Sequence, residues 1–444
     1  MSFPRYEGYK ETGVLWLEKL PTLWSFSKVK FNTYVKGRVG WHGLNSDEFS
    51  DVGVHLVTGT DFVNGFVVWD SCCRVSEDRY AEDPYIQLKE GDLLITKDGT
   101  IGKLARVKGL PERASLNSGI FLVRAQDNAY LEDFLYWVLQ SSLFAYFMDL
   151  HKSGSTIQHL YQEVFNQFSF PLPSQFEQHH ICIFLDRETA KINALISEQQ
   201  RLIDLLKEKR KAVISHAVNK GLNTDAPMKD SGVEWLGEVP AHWGIKKMKW
   251  VAEMQSGHTP DKKIREYWEG GDIPWVSLND TVFLKDHDYI SETAYNISKL
   301  GIENSSARLL PPRAVVFSRD ATIGRCAITT RPMAVSQHFI AWICGDTMIP
   351  EFLLLRLRSM EWELDRLTTG ATLKTIGMPE VRTIVTPVPP LKEQQSIIEW
   401  VKNESAKLGN LTAEAQIAIN LLQERRVALI SAAVTGKIDV RLAA

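Results

Sequence analysis

What most constrains this chain is that it repeats itself at a nearly fixed interval. Residues 12–24 read TGVLWLEKLPTLW and residues 231–243 read SGVEWLGEVPAHW, with Gly13/Gly232, Val14/Val233, Trp16/Trp235, Leu17/Leu236, Pro21/Pro240 and Trp24/Trp243 matched at an interval of 219. The match continues far beyond this motif. GVHLVTGTD at 53–61 aligns with DIPWVSLND at 272–280, ITKDGTIGKLA at 95–105 with FSRDATIGRCA at 317–327, and SGSTIQHL at 153–160 with TGATLKTI at 369–376. From there Pro171/Pro387, Pro173/Pro389, Glu177/Glu393, Gln178/Gln394, Ile181/Ile397, Ala190/Ala406, Leu206/Leu422, Arg210/Arg426 and Ile214/Ile430 hold one interval of 216 without a gap. A repeat of this length means that one architectural unit is built twice.

Each copy ends in a long helical pattern entered through prolines, PLPSQFEQ in the first and PVPPLKEQ in the second. The prolines stop the preceding strand, and Ser174 with Glu177 has the spacing of a capping box. Alternating steps of three and four place Ile181, Leu185, Ile192, Leu195, Leu202 and Leu206 on one stripe, with Ile397, Val401, Leu408, Leu411, Ala415 and Leu422 at the same phase in the second helix. A mean period of 3.5 residues is the mark of a coiled coil. Roughly 40 residues at 1.5 Å each make a rod of about 60 Å, the dimensions of a spacer.

Ahead of each rod lies mixed structure. LVTGTDF, GDLLITK, SGIFLVR, DIPWVSL, RAVVFSR and HFIAWIC read as short strands, while residues 129–150 and residues 349–367 read as one helix each. The expected fold is therefore α+β, two similar α/β domains alternating with two long helices of coiled-coil period in an internal repeat. The expected boundaries are a first domain at 1–170, a central helix at 171–220, a second domain at 221–386 with its connector at 221–245, and a terminal helix at 387–444. Residues 31–52 share little with 250–271, and 62–90 little with 281–312. A duplicated frame carrying different inserts fits one task performed on two targets. The pseudo-symmetry also places the C-terminal SAAVTGKIDVRLAA beside the N-terminus, where it takes the part that SHAVNKGLNTDAP plays in mid-chain.

At 444 residues the chain is long enough for two or more cores, and no apolar run of about 18 residues marks a membrane span. Five cysteines without metal-type spacing read as thiols in a reducing cytoplasm. Enzyme signatures fail one by one. Glu82-Asp83-Pro84-Tyr85 has one proline where an amino-methyltransferase motif has two, and GTIGK at 99–103 carries Leu104 where a phosphate loop needs Ser or Thr. Neither a zinc helix nor a nucleophile elbow is present. The expected chain binds no cofactor and no metal and performs no bond chemistry.

Features suited to DNA exist. Lys97, Lys103, Arg106, Lys108 and Arg113 cluster near one turn, and Arg313, Arg319, Arg325, Arg331 and Lys374 near its counterpart. Such side chains neutralise phosphates. The divergent segments add Asn32, Arg38, Trp41, His42, Asn45, Lys262, Lys263 and Arg265 as candidate base readers. Basic and acidic side chains nearly balance over residues 20–160 and over 246–376, so neither domain is a broadly basic clamp and part of the grip is left to a partner.

Taken together, the repeated GVxWLxxxPxxW entry, the TIGK/TIGR turn, the STIQHL/ATLKTI segment and the PLPSQFEQ/PVPPLKEQ helix entries resemble the specificity subunits of type I restriction-modification systems over nearly the whole chain. The resemblance implies two α/β target-recognition domains held apart by two long helices packed antiparallel as a coiled coil, with an internal pseudo-two-fold repeat, each domain reading half of a split, asymmetric sequence in double-stranded DNA. It implies a non-catalytic subunit that carries two modification subunits, which bind S-adenosylmethionine and methylate adenine. Restriction subunits join in the full complex. By position, Trp16, Trp235, Ile181, Leu206, Ile397 and Leu422 would form the docking surface. A repeat scaffold without DNA readout, or a free-standing DNA-modifying enzyme, are the alternatives that the residues alone leave open.

Overall fold

In a computed structural model, which describes residues 3–38, 44, 46–151, 159–370 and 374–441, the repeat becomes two packing units. The first comprises residues 1–200 and 416–444, the second residues 201–415. The long helices are therefore not separate domains. Each of them, Gln175–Lys220 and Leu391–Val434, begins in one unit and ends in the other.

The first unit is built on a six-stranded sheet in the order Thr33–Lys36, Ile120–Ala125, Leu93–Thr96, Leu104–Arg106, Phe66–Val67, Phe62–Val63. A three-stranded sheet of Ala114–Leu116, Val54–Val57 and Cys73–Val75 accompanies it. One face of the large sheet, with Leu93, Ile95, Phe121 and Val123, packs on an aromatic-rich core that includes Phe134, Phe147, Phe165 and Phe168. The strands expected in both copies are present. The second unit repeats the plan with Ala252–Ser256, Phe339–Cys344, Val315–Ser318, Cys326–Thr329 and Tyr289–Ile290, plus a three-stranded sheet of Tyr295–Ile297, Ile273–Val276 and Ala334–Val335.

The helical stretches expected to be single are pairs. Residues 129–150 form Glu132–Leu139 and Ser142–Leu150, because the Ser141 hydroxyl donates to Val138 O (2.6 Å) while accepting from Leu143 N (3.3 Å), which caps a new helix. Residues 349–367 form Pro350–Ser359 and Glu361–Arg366, with the Ser359 hydroxyl donating back to Arg356 O at 2.7 Å. Apolar periodicity runs through both breaks, so periodicity alone could not reveal them.

How each rod meets its domain explains the repeated Glu-Gln. Gln178 is fully buried. Its Oε1 accepts from Leu131 N (2.8 Å), which starts the helix Glu132–Leu139 without a side-chain cap of its own, and its Nε2 donates to Pro173 O (2.9 Å). Gln394, also fully buried, does the same with Ile349 N (2.9 Å) and Pro389 O (2.9 Å), and adds Thr347 O (2.8 Å). Glu177 completes only half of the expected capping box. Ser174 Oγ accepts from Glu177 N at 3.3 Å, but the carboxylate takes its hydrogen bonds from Trp24 Nε1 (3.0 Å), Tyr6 OH (3.4 Å) and the Ser174 hydroxyl (3.1 Å) instead of from the Ser174 amide.

The expected stripe is buried at Ile181, Leu185, Ile192 and Leu206 and at Ile397, Val401, Leu408 and Ala415, and departs by one residue where Ile203 is buried instead of Leu202. Ile192, Ile203 and Leu206 are buried in the first helix and Leu408, Ala415 and Ile419 in the second, while Leu195, Leu202 and Leu411 are exposed. Apolar residues border the stripe on both sides, so spacing leaves its phase open by one residue. Within the first unit the start of one helix (Ile181, Phe184, Leu185) and the end of the other (Ile430, Ala433, Val434) share one core. Within the second, Ala217 and Val218 share a core with Ile397 and Val401. In each unit one helix enters as the other leaves.

The paired opening motifs are β-hairpins. Tyr9–Val14 pairs with Leu17–Pro21, and Met228–Asp230 with Glu238–Pro240. Trp24 and Trp243 follow them as fully buried anchors. In the first unit the C-terminal segment closes onto the N-terminal one, through Asp439 N to Pro4 O (2.8 Å) and Tyr9 OH to Gly436 O (2.9 Å). Gly436 lies against Pro21 and Trp24 as Gly221 lies against Trp243.

Candidate nucleic-acid interface

The most faithfully repeated local structure is the TIG turn. In the first unit Thr96 N donates to Lys103 O (2.9 Å), Gly102 N to Thr96 O (2.9 Å) and Lys103 N to Thr96 Oγ1 (2.9 Å), and the Thr96 hydroxyl bonds across to Thr100 O. In the second, Ser318 N donates to Arg325 O (2.8 Å), Gly324 N to Ser318 O (3.0 Å) and Arg325 N to Ser318 Oγ (3.1 Å), with the Ser318 hydroxyl on Thr322 O. The backbone agrees as well. Gly99 and Gly102 have φ of 69° and 82°, and their counterparts Ala321 and Gly324 have 59° and 84°. An alanine held there bears a left-handed strain of about 1–2 kcal/mol. Ile101 and Ile323 pack each turn onto the core of its unit.

Two further segments are tied to the turn in each unit. Lys97 N donates to Gly119 O (2.8 Å) and Leu160 N to Lys97 O (2.9 Å); Arg319 N donates to His338 O (2.9 Å) and Ile376 N to Arg319 O (2.9 Å). The turn aspartates beside this clamp take different partners. Asp98 Oδ1 takes His159 Nδ1 at 2.6 Å, whereas Asp320 takes His338 Nδ1 at 2.8 Å on one oxygen and the Thr375 hydroxyl on the other. The divergent segments arrive here too. Gly37 and Arg38 line an open cleft of about 430 Å³ with Lys97, Asp98, His159 and Tyr161, and in the second unit His258 N bonds to Val335 O (3.0 Å) beside the clamp.

The individual basic residues fare unequally. Arg38 is only 2% exposed, with Nε donating to Leu116 O (2.9 Å) and Nη2 to Ser115 Oγ (3.2 Å). Burial lowers its pKa, and the side chain bridges the two sheets of its unit instead of reading bases, which corrects the expectation. Arg106 is likewise buried, stacked on Phe66 (4.5 Å) and Tyr136 (4.3 Å) and paired with Asp133 (3.0 Å) and Asp186 (3.6 Å). It holds the domain to the foot of the first long helix. Lys103 Nζ donates to Gly59 O at 2.9 Å, and Arg319 staples the clamp through Gln337 O (3.2 Å) and Ile376 O (3.0 Å). Arg113 pairs with Glu77, Arg313 with Glu351 and Lys374 with Asp365. Lys97 lies over Phe121 at the cleft, Arg325 is half-buried beside its turn, and Lys262, Lys263 and Arg265 are exposed. These last five remain placed to meet a polyanion. Trp41, His42 and Asn45 lie outside the described residues.

The expected docking residues need correction as well. Ile181, Ile397 and Leu206 are buried, the first two inside the cores of their units, so their side chains cannot meet a partner; Leu422 is half-buried. Trp16 is half-buried with its indole N–H on Ser169 O (2.9 Å), and Trp235 lies under the Arg356 guanidinium at 4.8 Å. What sequence reasoning missed is the role of Asp98/Asp320 and Gln178/Gln394. Their registers were visible, but neither residue type announces that it serves backbone groups or rings from distant segments.

The enzyme-like fragments fold as ordinary turns; Asp83, for example, accepts from Tyr85 N at 3.2 Å. All five cysteines are free thiols. No helix among the described residues is long and apolar enough to cross a membrane.

Comparison with known proteins gives a consistent picture. The family model described as type I restriction modification DNA specificity domain matches twice, over residues 43–204 and 240–420. The MjaIX specificity subunit of Methanocaldococcus jannaschii is 32% identical over 164 residues, 36% of this chain and 38% of that protein. The MjaVIII specificity subunit of the same organism is 23% identical over 450 residues, 99% of this chain and 98% of its own length. Among solved structures, a chain from work on complex assembly and conformational transition of the type I R-M system covers 94% of this chain at a TM-score of 0.64 and 17% identity, and 99% of its own length is matched. The HsdS subunit from Thermoanaerobacter tengcongensis shares the fold at a TM-score of 0.53 and 15% identity, over 94% of this chain and 98% of its own. With the specificity domain present twice and covering most of its length, the chain belongs to the family of type I restriction-modification specificity subunits.

Proposed function

We propose that each unit of this chain reads one half of a split, asymmetric DNA sequence and that the long helices set the unread spacer between the halves. As a type I specificity subunit it is the non-catalytic, DNA-recognising member of its system. It docks two modification subunits, which supply S-adenosylmethionine and methylate adenine, and restriction subunits join them on the same platform in the cytoplasm. One observation carries this reading. The TIG turn keeps four matching hydrogen bonds in both units, and divergent segments reach it in each, Gly37 and Arg38 in the first and His258 in the second. A fixed mount with exchangeable fittings is what two different half-sites require.

The test is to map methylated adenines in cells carrying this chain with its modification partner, and then to replace residues 31–150 with those of another family member. One half of the methylated sequence should change and the other should persist. A change in both halves, or in neither, refutes the two-reader function. A salt-dependent gel shift of the assembled complex separates it from a scaffold that ignores DNA, because phosphate contacts weaken steeply with salt.

A further inference from the structure

We propose that His159 is a base-reading residue of the first unit, accepting a hydrogen bond through Nε2 from the exocyclic amine of one adenine or cytosine in that unit's half-site; this rests on the DNA-reading function above. The first support is the ring's chemical state. Its Nδ1 stands 2.6 Å from Asp98 Oδ1, a bond that selects the tautomer with the hydrogen on Nδ1, and in that tautomer Nε2 holds a lone pair. The carboxylate is itself fixed, since Asp98 belongs to the clamped turn. Orientation and tautomer are thus set before DNA arrives.

The second support is placement. His159 lines the open cleft with Lys97 and Tyr161, its side chain is 41% exposed, and Nε2 has no partner among the described residues. This is where the fixed turn meets the divergent segment.

The third comes from the other unit. There His338 makes the same Nδ1 contact with the equivalent aspartate, and its second nitrogen already meets an sp² N–H donor, the Gln337 amide at 3.3 Å from Nε2. The amide is oriented by the Thr259 hydroxyl on its oxygen. Adenine N6 and cytosine N4 are the N–H donors that the major groove presents, and they have the same planar amine geometry as that amide. The residue aligned with His159 is Thr375, and the residue aligned with His338 is Gly119. Imidazoles therefore reach the same carboxylate by two unrelated routes. The rings are additions to the frame that each unit makes separately, as expected of residues that read and not of residues that hold the scaffold.

The experiment uses the assembled complex of this chain with its modification partner, its methylated target, and oligonucleotides in which single adenines are replaced by unsubstituted purine or single cytosines by 2-pyrimidinone, bases that lack the amine. Wild type should lose about tenfold or more in affinity at one substituted position of one half-site. His159→Ala should relax that same position, suffer no further loss from the amine-less base, and melt as wild type does. His159→Gln, which retains an acceptor, should restore part of the discrimination. His338→Ala should leave that half-site untouched. Additive losses at every position overturn the assignment, as does unchanged discrimination. Weakening that is uniform across sequences with a shallower salt dependence also overturns it, because that describes a phosphate contact. If the wild-type complex itself shows no two-part methylated sequence, the DNA-reading function fails first.

Discussion

Replacing Gln178 by alanine tests how the rod is joined to its domain. The amide serves two buried backbone groups, the Leu131 N–H at the start of the helix Glu132–Leu139 and the Pro173 carbonyl at the entry to the long helix, at 2.8 and 2.9 Å. Truncation leaves both without a partner in a site closed to water. Each such orphan costs about 1–3 kcal/mol, so the change should destabilise the first unit by roughly 2–6 kcal/mol. Gln394 serves a third group, Thr347 O, and Gln394→Ala should cost the second unit at least about 1 kcal/mol more. Because the chain packs as two units, a global melting temperature would blur the result. Hydrogen exchange read by mass spectrometry on peptides covering 129–139 and 347–359 isolates each joint. Gln178→Glu adds a sign to the test. It keeps the shape and the acceptor for Leu131 N–H, but when ionised it cannot donate to Pro173 O. Its buried carboxyl should have a raised pKa, so stability present at low pH should be lost as pH rises through that value. The reasoning is refuted if Gln178→Ala lowers the local opening free energy by less than about 1 kcal/mol, or if both joints loosen equally.

The strained Ala321 offers a cleaner comparison: Ala321→Gly should stabilise the second unit by about 1 kcal/mol, and Gly99→Ala should cost the first a similar amount, since a Cβ there meets no atom within 4 Å and only the backbone objects. Urea unfolding measures both, and equal stabilities before and after would contradict the left-handed geometry. Arg356 is wholly buried without a carboxylate partner among the described residues, and burial pushes its pKa down to about 9. Arg356→Met should therefore be neutral or stabilising by about 1–4 kcal/mol, and a loss above 1 kcal/mol in the same assay would show that its bonds to Asn219 and Ser359 outweigh desolvation. A chain reopened near residue 225, with the present ends joined by a short linker, should still assemble with its partner, because the Pro4–Asp439 contact already brings those segments together. A permutant that folds but does not assemble would argue against interchangeable connectors.

Much of the architecture was legible because it was written twice. Matched positions at intervals of 219, 222 and 216 established two copies and the two rods, and a motif such as SGIFLVR read as a strand from its β-branched and aromatic residues. The opening motif was legible as a repeated element for the same reason, and in both units it folds as a hairpin followed by a buried tryptophan.

Side-chain roles were not legible. Arg38 and Arg106 look on paper like Lys262 or Arg265, yet two are structural struts and two are exposed; the difference lies in which sheet or aromatic ring happens to lie within reach. Ile181 and Ile397 sit at repeated helix positions, and only packing shows that they face inward. The sequence by itself determined the duplication, the element types and the segments that diverge, because periodicity and register are properties of one dimension. Tertiary structure alone decided which charges are free, whether Leu202 or Ile203 is buried, and that Asp98 meets His159 across 61 residues of chain. Those depend on distances between segments, and burial and hydrogen bonding respond to distance in space alone.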